Sequence, residues 1–168
     1  MVDQELLEFL PRTSFFGGID RSALECIVAM LVARSLPKGA VVFNEGDPGN
    51  SLFVVRRGEL IVFHRSPEGG APVKLTRLRD GDFFGEMTLL EMQPRSATVL
   101  VERDVDLLEL RARDLYELYK KDIKAYVMVL QNINRELCRR LRHASYRLVE
   151  WASEAGDQTT QIGLRPVR

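Results

Sequence analysis

The sequence predicts a mainly β fold with flanking helices, and three observations carry that prediction. Between Ser35 and about Leu110, short runs rich in Val, Ile, Leu and Phe alternate with Gly- and Pro-bearing turns, the grammar of an antiparallel sandwich or roll. No long helical pattern interleaves these runs, which disfavours a parallel α/β sheet. After Leu110 the strands stop, and residues 123–152 contain neither Gly nor Pro, which suits one long helix.

The elements follow in order. Residues 3–10 read as a short amphipathic helix in which Leu6, Leu7 and Leu10 cluster and Pro11 stops the run. Asp20 suits the N-cap of a second helix near 21–34, with Leu24, Ile27, Val28 and Leu31 at helical spacing. The β runs are Val41–Phe43, Leu52–Val55, Leu60–Phe63, Val73–Leu78, Ala97–Val101 and Val105–Leu110. Turn signals at 37–39, 46–49, Gly58, 67–70, 80–81 and Pro94 separate them. Residues 112–120 suit a short helix, and the Gly- and polar-rich stretch 153–168 reads as a flexible tail. The expected organisation is N-terminal helices over 1–34, a β region over 35–111 and a helical arm over 112–152.

The helical arm carries a regular stripe. Ile123, Val127, Leu130, Asn134, Leu137, Leu141, Ala144, Leu148 and Trp151 recur with alternating spacings of four and three, which is a heptad seam. With Leu130, Leu137, Ala144 and Trp151 at d, Asn134 falls at a, where a single Asn costs stability but fixes the register of a two-stranded parallel coiled coil. The seam from Val127 to Trp151 therefore reads as a homodimer contact, against the simpler alternative of a helix packing its stripe on its own β region.

Composition narrows the function. The 168 residues include 24 Lys+Arg and 24 Asp+Glu, a formal net charge of zero, which argues against a generic polyanion binder. That zero is a cancellation: residues 1–110 hold 12 basic and 17 acidic groups, residues 111–168 hold 12 and 7. Arg135–Arg147, with five Arg and one Glu, reads as a solvated basic helix face rather than a nucleic-acid contact. Two cysteines, Cys26 and Cys138, cannot build a disulfide framework or a four-cysteine metal site. His64 and His143 sit on separate elements with no H-x-H pair, so a cupin-like metal enzyme is not expected and no metal is assigned. No apolar stretch reaches the ~20 residues of a membrane helix, no signal peptide is visible, and a cytoplasmic setting is expected.

One segment carries chemistry: residues 81–99, GDFFGEMTLLEMQPRSATV. Gly85 removes a side chain where the backbone must turn or approach something closely. Glu86 opens a short helical stretch over 86–91, and N–H groups at a helix start favour anions. Pro94 turns the chain and presents Arg95, a permanently charged planar fork suited to phosphate. An acceptor, backbone donors and a guanidinium thus share one loop, as an anionic ligand with a sugar hydroxyl would need. A purely structural turn closed by a Glu86–Arg95 ion pair fits the same residues.

The run Phe84-Gly85-Glu86, Leu89-Leu90, Pro94-Arg95-Ser96-Ala97-Thr98-Val99 resembles the phosphate-binding cassette, here 83–99, of the cyclic nucleotide-binding domain family. Gly39, Gly46 and Gly58 fit the family's upstream glycines. The resemblance covers about residues 15–150 and implies an eight-stranded β-roll (jelly-roll), N-terminal helices, a B helix and a long C helix. It implies that Glu86 accepts from the ribose 2′-hydroxyl and that Gly85, beside Phe84, lets the ribose approach. It further implies that the backbone N–H groups of Met87 and Thr88 cap the cyclic phosphate, that Arg95 pairs with a phosphate oxygen, and that Ser96 adds a backbone N–H and a hydroxyl. Val62, Leu75 and Thr76 resemble positions flanking the purine, though plain β-core explains them too. RRLRHAS over 139–145 is similar to the stretch that covers the purine, with Ser145 facing the base and Arg140 reaching toward Glu86. A surface serine and a solvated basic face are the simpler explanations for these two.

The resemblance implies a sensor rather than an enzyme, with a cyclic nucleotide as ligand and no cofactor. Ser96 beside a bacterial-like C helix favours cAMP over cGMP. The short stretch after Ala152 shows no second helical pattern, so a DNA-reading domain is not expected. Occupancy is expected to pass to the C-terminal helices and on to a protein effector. The alternative is a β-roll module that dimerises without a ligand.

Overall fold

The computed structural model describes residues 3–66 and 70–154. The turn expected over 67–70 lies largely outside the described residues, as does the expected tail from residue 155 onward. Ser153 and Glu154 still belong to the last helix.

Helix α1 (Gln4–Phe9) starts at Asp3, whose carboxylate accepts the N–H groups of Glu5 and Leu6 at 3.0 and 3.2 Å. A 3-10 turn over Leu10–Arg12 carries Pro11 at its start, where no N–H is needed. Thr13 Oγ donates to the Leu10 carbonyl at 2.7 Å and accepts the Phe16 N–H at 3.2 Å, which folds the chain back. Phe15 and Phe16 are fully buried, and Phe15 meets Phe83 edge-on at 5.0 Å. Helix α2 (Arg21–Val28) is capped by Asp20 as its sequence position predicts, with the Ala23 N–H at 2.9 Å.

Here the first correction falls. The helix expected over 21–34 stops at Val28, and Val32–Leu36 form strand β1. The apolar spacing from Leu24 to Leu31 continues the helical period, but Val32–Leu36 pair antiparallel with Val105–Glu109. Pairing with a distant strand outweighs local periodicity.

The remaining strands are β2 (Val41–Phe43), β3 (Ser51–His64), β4 (Val73–Leu78), β5 (Phe83–Phe84) and β6 (Thr98–Arg111). They form one antiparallel sheet in the order β1-β6-β3-β4, with β2 added on β6 and β5 on β3. This is the mainly β class expected, with six strands among the described residues instead of eight. The runs Leu52–Val55 and Leu60–Phe63 fuse into β3, and the two runs after Pro94 fuse into β6. Register shifts around Gly58 bend the β3–β6 ladder without breaking it. Phe53, Val55, Leu60, Leu78, Phe84, Val99, Val101, Val105 and Leu107 make one cluster of the core, with Phe43 and Val62 packed against it.

Helix α3 (Glu86–Glu91) has the bounds the sequence predicts. Helix α4 (Ala112–Lys121) begins with the Ala112 N–H donating to the Asn50 carbonyl at 2.7 Å. Asp122 caps α5 (Ile123–Glu154) through the N–H groups of Lys124 and Ala125, both at 3.0 Å. The chain divides into two compact units, 1–133 and 134–168. In the first, α5 buries Ala125, Val129, Asn132 and Ile133. The Asn132 side-chain amide donates to the carbonyls of Phe15 and Gly17, both at 2.9 Å, so it ties α5 to the N-terminal turn.

Replacing Asn132 by Ala leaves those two carbonyls without their donor. The expected loss is about 1–3 kcal/mol of unfolding free energy, read from urea denaturation. An unchanged midpoint would remove this tie from the account of the fold.

Candidate functional site

The site is built around a buried cation. Arg95, 6 % exposed, lies on the turn between α3 and β6. Its Nη1 donates to the Ser51 carbonyl at 2.7 Å and to the Gly85 carbonyl at 3.2 Å, and its Nη2 donates to Ser51 Oγ at 3.4 Å. The guanidinium stacks over Phe43 at 4.1 Å from the ring centroid, with the Phe53 ring at 5.8 Å. Its Nε is buried and has no hydrogen-bond acceptor among the described residues. Burial pushes the guanidinium below its ordinary pKa, and the charges of Glu109, Asp47 and Glu86 act against that. Arginine stays protonated throughout.

The ion pair that would close a purely structural turn is absent: among the described residues no carboxylate forms a salt bridge with Arg95. Glu86, 2 % exposed, acts on Arg95 through space only. It opens α3 directly after Gly85, whose φ of +80° caps the helix in a conformation that L side chains rarely adopt. A Cβ at Gly85 would sit 2.6 Å from Arg95 Nη1. Met87 and Thr88 follow in the first turn, where backbone N–H groups lack helical acceptors. Thr88 is buried and Met87 exposed. Ser96 is exposed, with Oγ 3.5 Å from the Met87 sulfur. The structure thus brings together Gly85, Glu86, Met87, Thr88, Arg95 and Ser96, beside Phe84 in the core.

Val62 and Thr76 face each other across β3 and β4. The register shifts between Val62 and Phe63, so Leu75 is the extra residue of a bulge on β4. Leu75 and Thr76 are exposed and Val62 half-buried. Arg140 and Ser145 belong to the second unit. There Arg140 Nε donates to Glu136 at 3.0 Å, and Ser145 Oγ donates to the Leu141 carbonyl at 2.9 Å, both within their own helix.

The α5 stripe is not the face that α5 buries in the first unit. Val127 is exposed there and Leu130 half-buried, while the neighbouring Ala125, Val129 and Ile133 are covered. In the second unit Leu137 is half-buried, and Asn134, Leu141, Ala144, Leu148 and Trp151 are exposed, Leu141 at 68 % and Trp151 at 67 %.

Sequence reasoning missed three residues of the Arg95 seat: Phe43, Gly49 and Ser51. Phe43 reads as an ordinary strand residue and Ser51 as the end of a turn. Gly49 does stand out as a turn glycine, but its reason lies elsewhere: a Cβ there would lie 2.6 Å from Arg95 Cζ.

The sequence profile described as "Cyclic nucleotide-binding domain" matches residues 33–122, more than half of the chain and all of the Arg95 seat. The chain belongs to the cyclic nucleotide-binding domain family. Among its relatives in that family, the "Cyclic AMP receptor protein" of Thermus thermophilus is 33 % identical over 133 residues, covering 79 % of this chain and 59 % of the receptor. The "CRP-like cAMP-activated global transcriptional regulator" of Mycobacterium tuberculosis is 28 % identical over 143 residues, 85 % of this chain and 62 % of the regulator. The chain thus spans about three-fifths of the length of these two relatives, which are named as a receptor and a regulator rather than as enzymes. A solved cyclic nucleotide-binding domain from Methylobacillus flagellatus superposes with a TM-score of 0.78 at 25 % identity, over 87 % of this chain and 82 % of that one. In this family the nucleotide is a ligand and not a cofactor. No helix among the described residues is long and apolar enough to cross a membrane.

The seat makes a steric prediction. In Gly49→Ala the new methyl group displaces the guanidinium from Phe43, and a crystal structure of the variant should show the bonds to Ser51 broken. An Arg95 left in place would sink the steric account of Gly49.

Proposed function

We propose that this chain is a cyclic-nucleotide sensor, cAMP preferred to cGMP, that takes the ligand's phosphate on Arg95. One observation carries the reading: a guanidinium 6 % exposed, held by neutral acceptors and aromatic faces, with a buried Nε lacking an acceptor. A buried cation without a carboxylate in contact is costly, and a bound anion offsets that cost. A cyclic nucleotide, the ligand its family suggests, also offers a hydroxyl to the neighbouring carboxylate. Glu86 accepts from the ribose hydroxyl, Gly85 admits the sugar, and the N–H groups of Met87, Thr88 and Ser96 complete the phosphate cage. Val62, Leu75 and Thr76 flank the base, and Arg140 and Ser145 are read as contributions from α5.

Occupancy is relayed to α4 and α5, and through them to a protein effector. The exposed α5 stripe supports a homodimer, with Asn134 setting its register. A cytoplasmic setting fits two exposed free cysteines, Cys26 and Cys138.

Titration calorimetry with cAMP and cGMP tests the first part. Wild-type protein should bind both, cAMP more tightly. Arg95→Ala should lose about ten- to a hundred-fold in affinity, the worth of hydrogen bonds to a charged group. Absence of heat at high micromolar ligand, or unaltered affinity in the variant, favours the ligand-free dimerisation module instead.

Sedimentation tests the second part. Wild-type protein should run as a dimer and Leu141→Asp as a monomer, because a carboxylate in the seam is desolvated without a partner. A monomeric wild type refutes the seam.

A further inference from the structure

Residues 44–47 form a tight loop against Arg95, and its bracing has no role yet. The Gly46 N–H donates to the Arg95 carbonyl at 2.9 Å, and the Arg95 N–H donates to the Asp47 carbonyl at 2.8 Å. The loop therefore grips the backbone of Arg95 from both sides. Asp47 closes it by accepting the Asn44 N–H at 2.8 Å. What fixes the loop to the sheet is Glu45. Its carboxylate Oε2 accepts the Arg65 N–H at 3.0 Å and lies 3.2 Å from His64 Nδ1, at the end of β3. Its own N–H donates to Thr98 Oγ1 at 3.0 Å, at the start of β6. One residue thus spans the two strand ends where Phe63 pairs with Thr98. The Arg65 N–H, and after it the His64 side chain, hold the Glu45 carboxyl below its ordinary pKa.

We infer that Glu45 is a positioning residue for the nucleotide site: it bolts loop 44–47 to β3 and β6 and so fixes where Arg95 stands. The geometry also joins the two halves of the site. Val62, proposed to flank the base, lies two residues before His64. Arg95, proposed to take the phosphate, is gripped by the two residues that follow Glu45. A brace between these points sets the distance between phosphate and base, which a rigid ligand requires to be constant. Glu45 contacts neither group itself.

The inference rests on the proposed role of Arg95, and the variants separate the two. Nucleotide affinity is measured by calorimetry for wild type, Arg95→Ala, Glu45→Ala, Glu45→Gln and Thr98→Val, each with its unfolding midpoint. Glu45→Ala should weaken binding about three- to ten-fold, as the loss of a hydrogen-bonded brace implies, with a midpoint near that of wild type. Glu45→Gln keeps an acceptor for the Arg65 N–H and should restore most of the affinity. Thr98→Val removes the acceptor of the Glu45 N–H at nearly constant volume, and should weaken binding in the same direction. The double variant with Glu45→Ala should lose less than the sum of the two effects. Wild-type affinity in Glu45→Ala, or a loss in Glu45→Ala and Glu45→Gln alike that follows the drop in midpoint, overturns the inference while leaving Arg95 untouched. A wild type that binds no cyclic nucleotide overturns the role of Arg95 instead.

Discussion

A charge taken out of water dictates much of this molecule's local design. Moving a guanidinium into a protein costs several kcal/mol even after relaxation unless its donors are met. The chain meets most of that cost with neutral groups: two backbone carbonyls, one hydroxyl and an aromatic face. Each imposes a constraint on the fold. Ser51 must begin β3 and Phe43 must end β2 for their groups to converge. Gly49 and Gly85 must lack side chains, because a Cβ at either would overlap the guanidinium. The turn that carries Arg95 must in turn be held by loop 44–47. The surrounding sheet supplies rigidity, and the irregular segments between its strands supply the site.

The same segment connects the cation to the helices. Ser51 holds Arg95, while the adjacent Asn50 carbonyl receives the first N–H of α4. The proposed relay would therefore run through two adjacent residues, one bonded to the cation and one to α4. At the other end of this helical region, Asn132 binds α5 to the N-terminal turn. The first turns of α5 are thus fastened to the body of the domain. A ligand could shift such helices only by its differential affinity for their arrangements, typically ~1–3 kcal/mol.

The parts of this arrangement legible in the sequence are those whose cause is local. The Asp20 cap, the bounds of α3 and the long α5 follow from a few neighbouring residues. The loop holding Glu86 and Arg95 declares its chemistry in one stretch of sequence. Strand β1 was not legible, because its cause is the pairing of Val32 with Glu109 and the residues that follow. The Arg95 seat was half legible: the cation is conspicuous, but Phe43, Gly49 and Ser51 are bland residues more than 40 positions upstream. The two asparagines of α5 show the same limit. Heptad spacing singles out Asn134, yet the asparagine buried in the first unit is Asn132. Two residues apart, they point roughly 200° apart around the helix, so a stripe that selects one says nothing of the other.

That Arg95 is already seated bears on what its ligand must be. An incoming group does not meet an empty donor set, because Nη1 and Nη2 have acceptors in Ser51 and Gly85. A neutral ligand would exchange one set of dipolar acceptors for another and gain little beyond the unused Nε. An anion gains more, since it adds a full opposite charge where only the more remote carboxylates of Glu109, Asp47 and Glu86 act now. Those carboxylates also limit the gain, because they repel the anion while they support the cation. Glu86 is the most buried of them, at 2 % exposed. On the proposed reading, a ligand with a single negative charge and an adjacent hydroxyl accepts from Arg95 and donates to Glu86. In the proposed function, the buried cation and the buried carboxylate that opens α3 together suit a phosphodiester on a sugar better than either residue does alone.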